Sequence, residues 1–321
     1  MERESAYQTL MQKFPDLIKR NEPLSTYTTF KIGGPADLFC TVYFSDELTA
    51  VLQSACSLEI PAVLIGCGSN VLVDDAGFRG LVVKFVNTES PLLEYPYLTV
   101  SAGNSLKTVL EFAAEHSLGG LEFLAGIPGS VGGAIYMNAG AYGKCISDII
   151  RWAVILNEDF HPKKVAAEFF QFSYRSSVLQ TVFFPVVSAV FEITRSDSQV
   201  IRAEYERILQ LRREKVPEDS IPSAGSFFKN LPSEYPGENR RSAGLYLEKA
   251  GAKQMRVGDA AVYEKHANII INTGSATAHD VLKLADRMKT AVANQFHFNL
   301  EPEVRFLAAD RGFNNPFFEK L

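Results

Sequence analysis

The sequence predicts an α+β protein of two or three parts, on three observations. Apolar residues recur at helical spacing in several segments, and short apolar runs bounded by glycine and proline lie between those segments. The chain has 321 residues, enough for more than one core. Hydrophobic residues at 46% and charged ones at 21% give the balance of an ordinary globular chain rather than a disordered one.

The elements follow in order. Residues 1–20 suggest a short amphipathic helix, with Tyr7, Leu10, Met11 and Phe14 three or four positions apart. A second helix is expected over 45–58, with Leu48, Val51, Leu52 and Ala55 on one face, Ser45 placed to cap it and two acids in its first turn. PAVLIG (61–66) and LVVKF (81–85) read as strands, and NTESPLLEYP reads as a polar linker. A strand at 97–103 precedes a helix carrying Leu106, Val109, Leu110 and Ala113. Strands are expected at RWAVILN and VFFPVVSAVFEI, and a surface or connecting helix over 202–215. The last third has its own pattern: a turn at SAGSFFKN, a buried strand at HANIIIN, and a helix with the stripe Val281, Leu284, Ala285, Met288, Val292. LEPEVRFL closes with strand-like alternation.

Composition excludes several functions. The formal net charge of -5 offers no basic field for a nucleic-acid backbone, although a local anion pocket remains open. The five histidines form no close pair and the four cysteines no CxxC, which argues against zinc and iron–sulfur sites. The cysteines read as buried thiols of a reducing compartment. The N-terminus has no signal-peptide core, and no apolar run approaches the roughly 18 residues of a membrane span. A cytoplasmic protein without membrane partners is expected.

Two glycine-rich segments stand out. In IGCGSNVLVDDAGFRG (65–80), Gly66 and Gly68 directly follow an apolar strand, and Ser69 and Asn70 come next. Glycine allows successive N–H groups to converge on a phosphate, with small polar side chains as further donors. The segment is neither a Rossmann fingerprint nor a Walker loop. Tight turns in a crowded unit fit these residues equally well. EFLAGIPGSVGGAIYMNAGAYG (122–143) holds six glycines and no charge from Leu124 to Gly143. It suits a backbone lying close to a flat, extended ligand; close packing between small domains is the other reading. Two such loops favour one long ligand with a diphosphate at its middle, a dinucleotide.

TTFKIGGPAD, IGCGSNVLVDDAGFRGLVV, EFLAGIPGSVGGAIYMNAGAYG, YRSS, AGSFFKN, EKHANIIIN and LEPEVRF occur in this order. Together, from about Thr28 to Leu307, they resemble the UDP-N-acetylenolpyruvoylglucosamine reductase family, flavoenzymes of bacterial peptidoglycan synthesis. The resemblance implies a two-subdomain FAD-binding fold of the vanillyl-alcohol oxidase type plus a separate α+β substrate-binding domain. It places the flavin subdomains at 1–86 and 87–205, the substrate-binding domain at 206–300, and in 301–321 a strand returning to the active site. It implies non-covalent FAD, NADPH as co-substrate, UDP-N-acetylglucosamine enolpyruvate as substrate, and a monomer.

The same resemblance assigns residues. FAD is expected on Gly66, Cys67, Gly68, Ser69, Asn70 and Val71, and on Gly126, Ile127, Pro128, Gly129, Ser130, Gly132, Gly133, Asn138 and Gly140. Hydride addition to C3 of the enolpyruvyl group leaves negative charge at C2 and on the carboxylate, so the reaction needs a proton donor and a cation. Ser226 matches the donor of a proton to C2, and Arg175 the cation. Glu303 either shares a proton or orients Arg175 and Ser226, and of Glu301 and Glu303 only one is expected in the site. Lys215 and Asn230 match positions that contact the substrate or the pyridine nucleotide. Without the resemblance, Ser226 reads as a turn serine and Arg175 and Glu303 as surface ion-pair residues.

Only 50 residues separate Arg175 from Ser226, which resembles the subclass lacking a tyrosine-bearing loop. ENRRSAGLYLEKAGAK departs from the usual stretch and leaves open which of Arg240, Arg241, Lys249 and Lys253 meet the diphosphate of UDP. The rival readings are another FAD oxidoreductase of this fold, attached through Cys67 or Cys145, and a nucleotide sensor without catalysis.

Overall fold

A computed structural model describes residues 2–218, 220–235 and 237–313. The chain divides into two compact units that exchange segments. The first comprises Met1–Glu22, Ala36–Cys67 and Arg79–Arg212, and the second Pro23–Pro35, Gly68–Phe78 and Arg213–Leu321. Each has its own buried apolar cluster.

The first unit holds two sheets. One runs Ile18–Pro23, Pro35–Val42, Phe78–Phe85, Ala62–Ile65 in spatial order, the last two strands parallel. The other is an antiparallel sheet of five strands with Val186–Glu192 paired to both Ile150–Leu156 and Tyr97–Ser101. Helix Ser45–Ser57 buries Leu48, Val51, Leu52 and Ala55, as its spacing predicts. Its start differs from expectation: Ser45 already lies inside the helix, and Glu47 reaches back to accept from the N–H groups of Tyr43 (2.9 Å) and Phe44 (3.3 Å). Helix Leu106–Glu115 is capped by Ser105, whose hydroxyl accepts from Thr108 N–H at 3.0 Å.

Two further expectations are corrected. The N-terminal helix ends at Lys13, and Ile18–Pro23 is a strand, because Pro15 has no N–H to continue the helical bonding and its ring clashes with the preceding turn. The segment read as a linker contains an edge strand, Leu92–Glu94, paired antiparallel with Tyr97–Ser101. Helix Ser198–Arg213 buries only Ile201 and Ile208, and Tyr205 anchors it by donating to the Leu110 carbonyl at 3.1 Å.

The second unit is an antiparallel sheet in the order Ser223–Ser226, Ile269–Asn272, Ala260–Val262, Arg256–Val257. Helix Ala278–Phe296 buries all five residues of its predicted stripe in the same apolar cluster as Ala260, Val262 and Ile270. Its N-terminus is held twice. Thr277 and Asp280 form a reciprocal capping box, and the Asp75 carboxylate accepts from Ala278 N–H (2.7 Å) and His279 N–H (3.1 Å). A carboxylate at that end also meets the positive pole of the helix. The strand Arg305–Leu307 pairs in parallel with Val71–Val73, so the end of the glycine segment is built into this unit.

Candidate active site

In the first unit, Gly66 and the 126–133 segment come together. A Cβ at Gly66 would overlap the Ser130 hydroxyl, so glycine there is required by the approach of Ser130. Ser130 caps the short helix Val131–Tyr136 by accepting from Gly133 N–H at 3.2 Å. The segment is stitched to its neighbours by backbone bonds: Leu106 N–H to Gly129 O, Val131 N–H to Asn104 O and Gly132 N–H to Ala102 O, at 2.8–3.0 Å. Ile127 is half-buried, while Gly126, Pro128 and Gly133 are exposed. Cys67 is half-buried, and burial raises its thiol pKa, with Lys84 partly opposing.

The side chain of Arg212 lies across Gly126, where a Cβ would come within 2.8 Å of Cδ and 2.9 Å of Nε. Burial lowers the pKa of this guanidinium, and among the described residues no hydrogen bond or ion pair to it is found. A desolvated cation without a carboxylate partner is costly unless an anion completes it. Exposed glycine-rich backbone in the same segment as such a cation fits an extended anionic ligand. Sequence reasoning missed Arg212 because it sits in a helix that is polar on most faces.

Asn138 and Gly140 shape the turn that carries Arg175. The Asn138 amide donates to Ser173 O at 3.0 Å and accepts from Ser147 N–H at 3.0 Å. Arg175 takes the left-handed conformation, φ +54°, and donates through Nη2 to Gly140 O at 2.9 Å. Its guanidinium also lies 5.2 Å from the Tyr174 ring centroid. A non-glycine residue in this region carries a backbone cost that the surrounding bonds must offset.

In the second unit, Gly68, Ser69, Asn70 and Val71 stand with the segment carrying Glu303, which leads into the strand Arg305–Leu307. Asn70 Nδ2 donates to Glu303 O at 3.1 Å, and Arg305 N–H donates to Asn70 O at 2.9 Å. Glu303 N–H in turn donates to Phe227 O at 2.7 Å, one residue past Ser226. The structure thus brings Asn70, Glu303 and Ser226 together. Ser226 ends its strand opposite Ile269 after a register shift, and Gly225 before it has φ +73°. The Ser226 side chain is half-buried, and among the described residues its hydroxyl bonds to no protein group. Glu301 is exposed and paired with Lys229 at 3.5 Å, whereas Glu303 is half-buried.

Asn230 accepts through Oδ1 from Ala243 N–H at 3.1 Å, and its carbonyl takes two bonds from Arg240. Arg241 pairs with Glu234 and Lys253 with Glu248, at 2.7 and 2.6 Å. Lys215 is exposed and close enough to His266 to disfavour its charge. His266 accepts through Nδ1 from Asn268 N–H at 3.2 Å, which places its proton on Nε2. Burial first, then Lys215, lowers its pKa below 6.5, and the ring is neutral in the fold. Above pH 6.5 folded and unfolded chains both hold neutral His266, so stability is unaffected. Below that value the unfolded chain takes the proton first, and stability falls with pH until the folded ring also titrates. The melting temperature of a His266→Gln variant, followed from pH 7 to pH 5, is expected to fall less than the parent's; parallel curves would show that His266 does not carry this dependence.

Among the described residues no helix is long and apolar enough to cross a membrane, and no group of His, Cys, Asp and Glu is arranged to hold a metal. Residues 36–159 match the model of an FAD binding domain, and residues 216–307 match the C-terminal domain of UDP-N-acetylenolpyruvoylglucosamine reductase. A reductase of that name from Lachnoclostridium phytofermentans is 44% identical over 89% of this chain and 92% of its own length. One from Caldanaerobacter subterraneus is 38% identical over 93% and 98%. The crystal structure of the Thermus caldophilus reductase superposes with a TM-score of 0.74, at 31% identity, over 90% of this chain and 97% of that one. The fold is the expected α+β architecture, with an FAD-binding fold of the vanillyl-alcohol oxidase type, and FAD is its cofactor. The chain belongs to the UDP-N-acetylenolpyruvoylglucosamine reductase family.

Proposed function

We propose that the protein reduces UDP-N-acetylglucosamine enolpyruvate to UDP-N-acetylmuramate with NADPH, acting as a monomer in the cytoplasm without nucleic-acid partners. The observation that carries the catalytic assignment is Ser226, whose half-buried hydroxyl no described protein group engages. A turn serine would bond to nearby backbone. FAD, held by the glycine segments, would supply the two-electron hydride chemistry that links NADPH to the enolpyruvyl group. Ser226 gives its hydroxyl proton to C2 as the new C–H bond at C3 forms, and is reprotonated from solvent after the product leaves. Arg175 holds the substrate carboxylate, where negative charge grows. Glu303, fixed through its own backbone to Phe227 and Asn70, orients the donor or shares its proton.

Residues 1–86 and 87–205 are proposed as the flavin subdomains, with 206–300 and the strand of 301–321 serving the substrate. Gly66, Cys67, Gly68, Ser69, Asn70, Val71 and the 126–140 segment are proposed to hold FAD, with Arg212 against one of its anionic groups. Lys215 and Asn230 serve the substrate or pyridine nucleotide. The test is a purified protein that is yellow, bleached anaerobically by NADPH and recoloured by the enolpyruvyl substrate. Bleaching with NADH at the same concentration is expected to be slower; equal rates would remove the preference. A nucleotide sensor would show neither colour change.

FAD is proposed to be non-covalent. A covalent bond through Cys67 needs its thiolate, and burial makes that form scarce at neutral pH. Acid precipitation is therefore expected to leave the flavin in the supernatant; a yellow pellet would point to a covalent bond instead.

A further inference from the structure

We infer that Asn268 is the positioning residue of the proton donor, and this rests on the reading of Ser226 as that donor. Asn268 is 2% exposed, in the turn that leads directly into the strand Ile269–Asn272. Its carbonyl accepts from Phe227 N–H at 2.7 Å. Its side-chain amide then treats Phe228 as a neighbouring strand would, accepting from Phe228 N–H at 2.9 Å and donating to Phe228 O at 2.8 Å. Its own N–H is fixed on His266 Nδ1.

These bonds fall where the ordinary ladder stops. The pairing of Ser223–Ser226 with Ile269–Asn272 shifts register before Ser226, and Gly225 leaves the extended region. Past Ser226 the chain needs other partners for its buried N–H and C=O groups. Asn268 supplies them, and the held chain presents the Phe227 carbonyl to Glu303 N–H. One buried amide therefore sets the path of the backbone on the C-terminal side of Ser226 and, through Phe227, the place of Glu303. Asn268 bonds to neither side chain, so it acts only through the backbone between them. Phe227 and Phe228 are themselves buried at 1% and 2% exposure, so this backbone has no water to fall back on.

Removing the amide leaves both polar groups of Phe228 unpaired and lets the segment shift. A misplacement of about 1 Å costs on the order of 10²-fold in rate. The experiment uses the FAD-loaded, full-length protein and rapid-mixing absorbance on the two half-reactions separately. Asn268→Ala is expected to keep flavin reduction by NADPH within a few-fold of the parent and to slow reoxidation by the enolpyruvyl substrate about 10- to 100-fold. Combined with Ser226→Ala, it should slow reoxidation little further, because a position cannot matter once the donor is gone. Asn268→Asp keeps the acceptor for Phe228 N–H and should lose less; it carries the test if the alanine variant fails to retain FAD. Equal losses in the two half-reactions, or losses that multiply in the double variant, would make Asn268 a residue of general stability and overturn the proposal. Normal reoxidation by Ser226→Ala alone would remove the donor reading itself, an outcome distinct from either of those.

Discussion

Ser226→Ala is expected to separate the two half-reactions. Flavin reduction by NADPH should survive within a few-fold, because that step asks nothing of a proton donor at C2. Reoxidation by the enolpyruvyl substrate should fall by roughly 10²–10⁴, the range for a lost general acid. Serine is a poor acid in water, but here it faces a strongly basic carbon, and its hydroxyl is engaged by no described protein group. Ser226→Cys should recover part of the rate, since a thiol still delivers a proton. Stability should change little, because the alanine variant removes a half-buried hydroxyl without leaving a protein partner unsatisfied. Equal losses in both steps, measured by rapid-mixing absorbance, would return Ser226 to a turn role beside Phe227.

Much of the scaffold was legible because it depends on local periodicity. The stripe of helix Ala278–Phe296 is buried residue for residue. The strand regions at 61–66, 81–85 and 266–272 each contain a strand, since continuous apolar runs of that length have few other uses. What the sequence hid was polar and non-local. Asp75 sits in a glycine turn and caps a helix some 200 positions later, a pairing no spacing announces. Asn268 interrupts an apolar run and looks like a blemish until its partners on Phe228 are seen. The choice between Glu301 and Glu303 could not come from alternation, because residues two apart on a strand share a face. Exposure separates them: Glu301 is in solvent with Lys229, and Glu303 is half-buried with its N–H on Phe227. The glycine segments were recognisable as special, but not which glycine answers to ligand and which to the protein's own backbone.

That distinction sets the expected results for Gly68→Val and Gly133→Ala. Gly68 has φ +64°, and a Cβ there would overlap the Tyr27 carbonyl oxygen and lie 3.0 Å from Thr28 Cα. Valine would combine left-handed strain of about 1–3 kcal/mol with overpacking of similar size. Gly68→Val is therefore expected to be colourless through damage to the fold, seen as a lower melting temperature of the flavin-free protein. Gly133 presents the opposite case. It is exposed within helix Val131–Tyr136, and its Cβ would meet only Ser130 Oγ at an ordinary 3.4 Å. Alanine there should stabilise the flavin-free protein by roughly 0.5–1 kcal/mol, as expected for glycine replaced within a helix. If FAD lies against this backbone, the added methyl group should nevertheless weaken its binding at least tenfold, about 1.4 kcal/mol. Flavin titration of the apoprotein, beside its thermal melt, reads both quantities. A raised melting temperature with weakened FAD binding assigns Gly133 to the ligand surface; unchanged affinity would take it off that surface.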